Sequence, residues 1–269
     1  MNPHALADSA TMLRRSLRRM RRYPSLTLFV AGIPVVLMLL FVYAFGGALG
    51  AGVGGPANGD GAGDRAAYVA YVVPAILLIA VAGAGQGTAI SVAMDMTQGI
   101  IARFRTMAIA RSSVLAAHVL GAILQSLMAT AIVVLVAILI GFRPTASPAA
   151  WLETLAILAL AAAAISCLSV ALGLAANSVE TASNSPMFLT LLPFLSSGFV
   201  PPASMPGPLA WFAERQPFTP IIESLRGLLL GTPIGDSGVV AVAWCVVVSV
   251  VGFAWAMRLY ERLPERPGT

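Results

Sequence analysis

"AAYVAYVVPAILLIAVAGAGQGTAISVAM", residues 66–94, carries no charged side chain from end to end. A helix needs about 20 mostly apolar residues to cross the ~30 Å hydrocarbon core of a bilayer, so this stretch spans it with length to spare. Further charge-free stretches lie at 23–59, 112–142, 154–179, 181–213 and 237–257. The chain of 269 residues is 58% hydrophobic and only 10% charged, whereas a soluble domain carries about 25% charged residues. Too few charges remain to build a water-facing surface, so lipid must cover most of the chain. The expectation is an all-α polytopic membrane protein forming a single transmembrane domain over 1–269. Six spans are placed near 26–48, 68–92, 113–140, 152–176, 183–202 and 238–258. Pro34, Pro74, Pro186 and Pro193 fall inside them and are expected to kink or break helices locally.

Six spans put both termini on one side, and the arginines choose it. With the ends inside, the cytoplasmic set is Arg14, Arg15, Arg18, Arg19, Arg21, Arg22, Arg103, Arg105, Arg111, Arg258, Arg262 and Arg266. The outer set is only Arg65, Arg143, Arg215 and Arg226. Twelve against four places both termini in the cytoplasm. The glycine-rich stretch 46–65 then reads as a flexible outer loop, and "NSVETASNS" (177–185) as a short cytoplasmic turn. "PPASMPGPLAWFAERQPFTPIIESLRGLLLG" (201–231) is too proline-broken for one helix and too apolar for a free loop. It reads as one or two short helices at the outer face, lying on it or dipping in.

Several chemistries are excluded. The net charge of +5 is concentrated in membrane-flanking arginines, which points to lipid headgroups rather than to nucleic acid. The chain contains no lysine, and the P-loop of ATP-driven motors needs one to reach the phosphates. "GAGQG" (83–87) sits inside a span, where small residues serve helix packing. His4 and His118 are the only histidines, too few for a zinc site; His118 reads as an interfacial residue. Cys167 and Cys245 lie within apolar runs and read as small core residues. No span centre carries the carboxylate that an ion-coupled carrier's relay requires. No catalytic residue, metal or cofactor is therefore expected in this chain, and no cleavable signal peptide is apparent.

Two polar segments are patterned as helices. Within 5–23, Leu6, Ala10, Leu13, Leu17 and Met20 form one apolar stripe, with Arg14, Arg15, Arg18 and Arg19 around it. This is the pattern of a basic helix in the headgroup plane. The second is "MDMTQGIIARFRTMAIARSS" (94–113). At 100° per residue, Ile100, Ile101, Phe104, Met107 and Ala108 share an arc of about 120°, flanked by Arg103 and Arg105. Asp95, Gln98 and Gly99 mark the break from the preceding span. A short helix over 97–109 with an apolar ridge and guanidinium edges suits a groove in a partner protein. It equally suits a lipid surface with snorkelling arginines.

Two motifs carry a resemblance. Asp95, Gly99, Arg103-Phe104 and Arg111 follow an acidic–Gly–basic-aromatic–basic order before span three. Phe199, Pro201, Met205, Pro206, Pro217, Leu225 and Arg226 follow F-x-P, M-P, Q-P and L-R. With the topology, these make the chain, over about residues 10–258, resemble the ABC type-2 exporter permeases, in particular their daunorubicin-resistance-like branch. Ala108 replaces a common proline and Gln216 a common asparagine.

The resemblance implies a permease that pairs with a second copy, or with a related permease, and with two ATP-binding cassette ATPase subunits that hold ATP and magnesium. It implies that Asp95, Gln98, Gly99, Ile101, Arg103, Phe104, Arg105 and Met107 couple to the ATPase. It also implies that a re-entrant segment, about 203–228, closes the outer side with Phe199, Pro201, Met205, Pro206, Pro217 and Arg226. The path would run between spans one, two and five of two copies in a bacterial cytoplasmic membrane. Gln86, Ser91, Gln125, Asn184 and Phe194 are its candidate contacts, though each polar one reads first as a helix–helix hydrogen bond. The expected cargo is an amphipathic drug or antibiotic. A lipid or lipid-linked glycan is the alternative cargo, and a membrane enzyme or channel a distant alternative function.

Overall fold

The computed structural model describes residues 24–46, 62–99 and 111–262, and their regular structure is helical. Helix α1 (Pro24–Leu40) runs on into a π-helical turn (Phe41–Phe45), followed by α2 (Ala62–Thr97), α3 (Arg111–Leu139) and α4 (Pro148–Ala175). Two short helices, α5 (Val179–Asn184) and α6 (Met187–Leu191), lead into a 3-10 turn (Leu192–Leu195). After a second 3-10 turn (Pro202–Ser204) come α7 (Gly207–Arg215), α8 (Phe218–Leu230) and α9 (Ser237–Arg262).

Among the described residues, four helices (α2, α3, α4 and α9) are long and apolar enough to cross a membrane, with mean hydropathy between 2.2 and 2.5. The 36 residues of α2 make a rod of about 54 Å, well beyond the ~30 Å hydrocarbon core. This helix starts earlier than the expected span 68–92. Arg65, expected in a loop, lies in its first turns with its guanidinium 5.6 Å from the Tyr43 ring.

One expectation needs correction. The stretch 183–202, read as a single span, is broken into α5, α6 and a 3-10 turn. Pro186 stands between the two helices and Pro193 within the turn, and each removes a backbone donor and crowds the preceding turn. Pro34 and Pro74 interrupt nothing; α1 and α2 continue through them.

The central element is α2, packed against α1, α3, α4, α5 and α8, while α9 lies along α4 and α8. Missing side chains permit the closest approaches. A Cβ at Gly173 of α4 would lie 2.7 Å from the Ala89 carbonyl oxygen of α2, and one at Gly252 of α9 would lie 2.8 Å from the Leu168 nitrogen of α4. At Gly85 the obstacle would be the Ile165 side chain at 2.5 Å, which is the packing use foreseen for this glycine run. Cys167 and Cys245 are free and buried.

The two ends of the bundle differ. At one, Val92, Leu115, Val170, Leu174, Ala256 and Tyr260 gather the ends of α2, α3, α4 and α9 into an apolar cluster. At the other, Thr145 of the α3–α4 connection donates its N–H to the Leu229 carbonyl at 3.0 Å, beside the left-handed Gly231 that ends α8. The expected helix over 5–23, with Arg14, Arg15, Arg18 and Arg19, lies outside the described residues, as do residues 100–110 of the expected helix over 97–109.

Candidate functional site

Polar side chains collect at both ends of α2. At the first, Gln98 N–H donates to the Met94 carbonyl at 2.9 Å and Gly99 N–H to the Met96 carbonyl at 3.2 Å. Gly99 has φ +70°, the left-handed conformation that ends helices and that glycine adopts without a Cβ clash. Asp95, Gln98 and Gly99 therefore stand at the exit from α2. One Asp95 carboxylate oxygen lies 3.4 Å from Nε2 of His118 on α3. This pair ties together the two helices that deliver and receive residues 100–110. Below it, the Gln86 side-chain amide donates to the Ser183 carbonyl at 2.8 Å and holds α5 against α2. Ile101, Arg103, Phe104, Arg105 and Met107 lie outside the described residues.

The second collection centres on Arg226 of α8. Its Nη2 donates to the Ser197 carbonyl at 2.8 Å and to the Tyr71 carbonyl at 3.2 Å. Its guanidinium carbon sits 3.8 Å from the centre of the Tyr71 ring, and the Tyr71 hydroxyl donates to the same Ser197 carbonyl at 2.7 Å. Burial draws the Arg226 pKa below its usual value, opposed by the neighbouring Tyr71 and Glu223. Hydrogen bonds from a charged donor contribute about 1.5–3 kcal/mol each. A planar fork over a ring and two carbonyls is a task for arginine rather than lysine. Glu223, one turn earlier, accepts from the Ser237 hydroxyl at 2.9 Å. This network joins α2, the turn at 196–198, α8 and the start of α9.

Neighbouring contacts rigidify the same end. The Thr219 hydroxyl donates to the Ala213 carbonyl and receives the Ser197 N–H. Gln216 Nε2 donates to the Leu192 carbonyl at 3.1 Å. Phe194 and Phe199 stack with ring centres 4.8 Å apart, and Phe41 of the π turn lies 4.6 Å from Phe199. The structure thus brings a residue expected on the path, Phe194, and one expected in the outer segment, Phe199, into one aromatic group.

The other sequence-chosen residues are dispersed. Pro201 precedes the second 3-10 turn; Met205 and Pro206 lead into α7, and Pro217 precedes α8. Ser91 and Gln125 are half-buried on α2 and α3, and Asn184 is exposed at the end of α5. Sequence reasoning missed Tyr71, Ser197 and the pairing of Asp95 with His118. Tyr71 and Arg226 are 155 residues apart, so no local spacing signals them. A lone buried arginine in an apolar stretch asks for carbonyl or aromatic partners, and that demand is the available clue.

Comparison with known proteins gives the family. The family described as ABC-2 type transporter matches residues 9–230. The chain is similar to the daunorubicin resistance ABC transporter permease protein of Streptomyces coeruleorubidus, with 28% identity over 96% of this chain and 87% of that one. It is also 27% identical, over 67% of its length and 65% of the relative's, to a protein of Mycobacterium tuberculosis described as a "probable doxorubicin resistance ABC transporter permease protein".

Proposed function

The chain belongs to the ABC-2 type transporter family, and from that premise we propose that it is the permease subunit of a drug-efflux pump. It carries an amphipathic drug or antibiotic outward across the cytoplasmic membrane of a bacterium. The single observation that carries this reading is the 28% identity to a daunorubicin resistance permease, sustained over 96% of the chain.

In this reading six membrane passages are made by α1, α2, α3, α4, the broken segment 179–195 and α9, with both ends in the cytoplasm. Two permease copies, identical or related, assemble with two ATPase subunits that bind ATP and magnesium. Each ATPase docks the 97–109 segment through the ridge of Ile101, Phe104 and Met107 and the arginines beside it. ATP-driven closure of the ATPases then moves the hairpin that Asp95 and His118 hold together. The helix α2 conveys this movement to the Arg226 network, and the α7–α8 segment opens or closes the outer end. Such coupling requires two arrangements that both ends bias. Its supports are the continuity of α2 and the side chains that tie each end of it to neighbouring helices.

The test is co-purification followed by ATPase measurement. The chain should bring down a soluble ATPase carrying the phosphate-binding lysine motif. Its hydrolysis should rise with an amphipathic drug panel and stay flat with a panel of lipids and lipid-linked glycans. Stimulation by the lipid panel alone would replace the cargo, and transport by the purified chain without a partner would overturn the reading.

A further inference from the structure

Side chains of α2 take up backbone oxygens of the broken stretch 179–199 at two places. Near the Asp95 end, Gln86 Nε2 donates to the Ser183 carbonyl at 2.8 Å. Near the Arg226 end, the Tyr71 hydroxyl donates to the Ser197 carbonyl at 2.7 Å. The order of the pairs makes α2 and the stretch antiparallel. The two donors are 15 residues apart on α2 and the two acceptors 14 apart on the stretch. At 1.5 Å per residue the ties stand about 22 Å apart. The stretch is therefore strapped to α2 near both of its ends.

The breaks are what make these acceptors available. A carbonyl inside a helix is already bonded to the N–H four residues on. Helix α5 stops at Asn184, and the N–H that would serve Ser183 belongs to Met187, beyond Pro186 in the next helix. Helix ends leave such carbonyls in need of partners, and Gln86 supplies one from α2. With 6 residues, α5 is far too short to hold its shape alone. It rests mainly on α2, with Ala182 fully enclosed. The face of α2 that carries Gln86 is otherwise bare. Gly83 and Gly87 share it, and a Cβ at either would meet nothing within 4 Å. Gln86 is the side chain that reaches across this bare face to α5.

We propose that α2 and the broken stretch move as one unit during transport, and that Gln86 is the positioning residue that keeps α5 in that unit. The assignment deepens the efflux reading and rests on it for the transport cycle. A Gln86 amide whose donor is committed to Ser183 sets where α5 stands rather than how the cargo is held. When the Asp95–His118 hairpin moves, α5 follows α2 instead of staying with α4, which precedes it in the chain.

The test uses the full chain, in nanodiscs and in inside-out vesicles with its ATPase. Gln86→Met keeps the side-chain length and removes the donor. The Ala182 and Ser185 amides bond to the Ser178 and Thr181 carbonyls. Their hydrogen exchange in nanodiscs should quicken about fivefold, as the loss of one hydrogen bond gives, while exchange in α6 stays as it was. In vesicles the same variant should lower the saturating rate of daunorubicin uptake at least twofold, with the half-saturating concentration unchanged. Unaltered exchange overturns the tie. A raised half-saturating concentration with an unaltered maximum makes Gln86 a cargo contact and overturns its positioning role. Gln86→Cys and Ser183→Cys, joined by a short reducible bifunctional thiol reagent with Cys167 and Cys245 replaced by alanine, should still support uptake, because the two positions need not separate. Uptake that stops on cross-linking and returns on reduction overturns the single moving unit. If exchange responds as expected but the wild type with its ATPase takes up no drug, the efflux reading fails and the tie stands.

Discussion

Helices α2 and α9 are equally greasy yet live in different surroundings. Their most apolar windows have mean hydropathies of 2.2 and 2.4, but 72% of the first is buried inside the protein and 22% of the second. Along α2, Val72, Val73, Ile76, Leu77 and Ala80 are fully enclosed. On α9, Val239, Val247 and Val250 are 75%, 54% and 63% exposed. Hydropathy measures the preference for leaving water, and lipid satisfies it as well as protein does. What separates the two helices is their place in the bundle and their tethering. Helix α2 is flanked by α1, α3, α4, α5 and α8, and Tyr71, Gln86 and Asp95 fasten it along its length. Helix α9 packs one face on α4 and α8, with Gly252 against the α4 backbone, and turns its valines outward.

The contrast makes graded predictions for thermal unfolding of the purified chain. Arg226→Met should be the most damaging, by roughly 3 kcal/mol, because the Tyr71 and Ser197 carbonyls lose a charged donor and the Tyr71 ring its cation. Arg226→Lys should recover only part of the loss, and full recovery would show that position and not the fork matters. Gly173→Leu comes next, at about 1–3 kcal/mol, since its side chain must displace the α2 backbone at Ala89. On the exposed face of α9, Val250→Leu adds a single methylene towards lipid and should shift stability by less than about 0.5 kcal/mol, and even the larger Val250→Phe should stay near that size. Equal effects at the two sites would erase the distinction between the helices. Gln86→Leu should cost about 1 kcal/mol through the lost bond to Ser183. Asp95→Asn should cost about 1 kcal/mol or less, yet reduce drug-stimulated ATP hydrolysis. An unchanged stimulation would remove Asp95 and His118 from the coupling path.

The membrane class and the long helices were legible because a charge-free run of sufficient length has few other meanings. Gly99 and the polar residues before it marked the end of α2 for a local reason, the left-handed turn. Segment 183–202 was misread because proline has no single consequence. Pro34 and Pro74 stay within continuous helices, whereas Pro186 and Pro193 stand where the chain breaks. Of the candidate site, Arg226 and Phe199 were found from their motif, but their partners were not. Tyr71 looks like any aromatic residue in a span until the fold sets Arg226 above it. Asp95 and His118 meet only because α2 and α3 return side by side.

The central claim is that energy enters this permease through the 97–109 segment from a separate ATPase. It is tested most directly by ATP-dependent daunorubicin uptake into inside-out vesicles from cells making the chain with its ATPase. Uptake should require both proteins, and Phe104→Ala should lower it roughly tenfold or more with the permease still in the membrane. Uptake by the chain alone without ATP, or undiminished uptake by Phe104→Ala, would contradict the account.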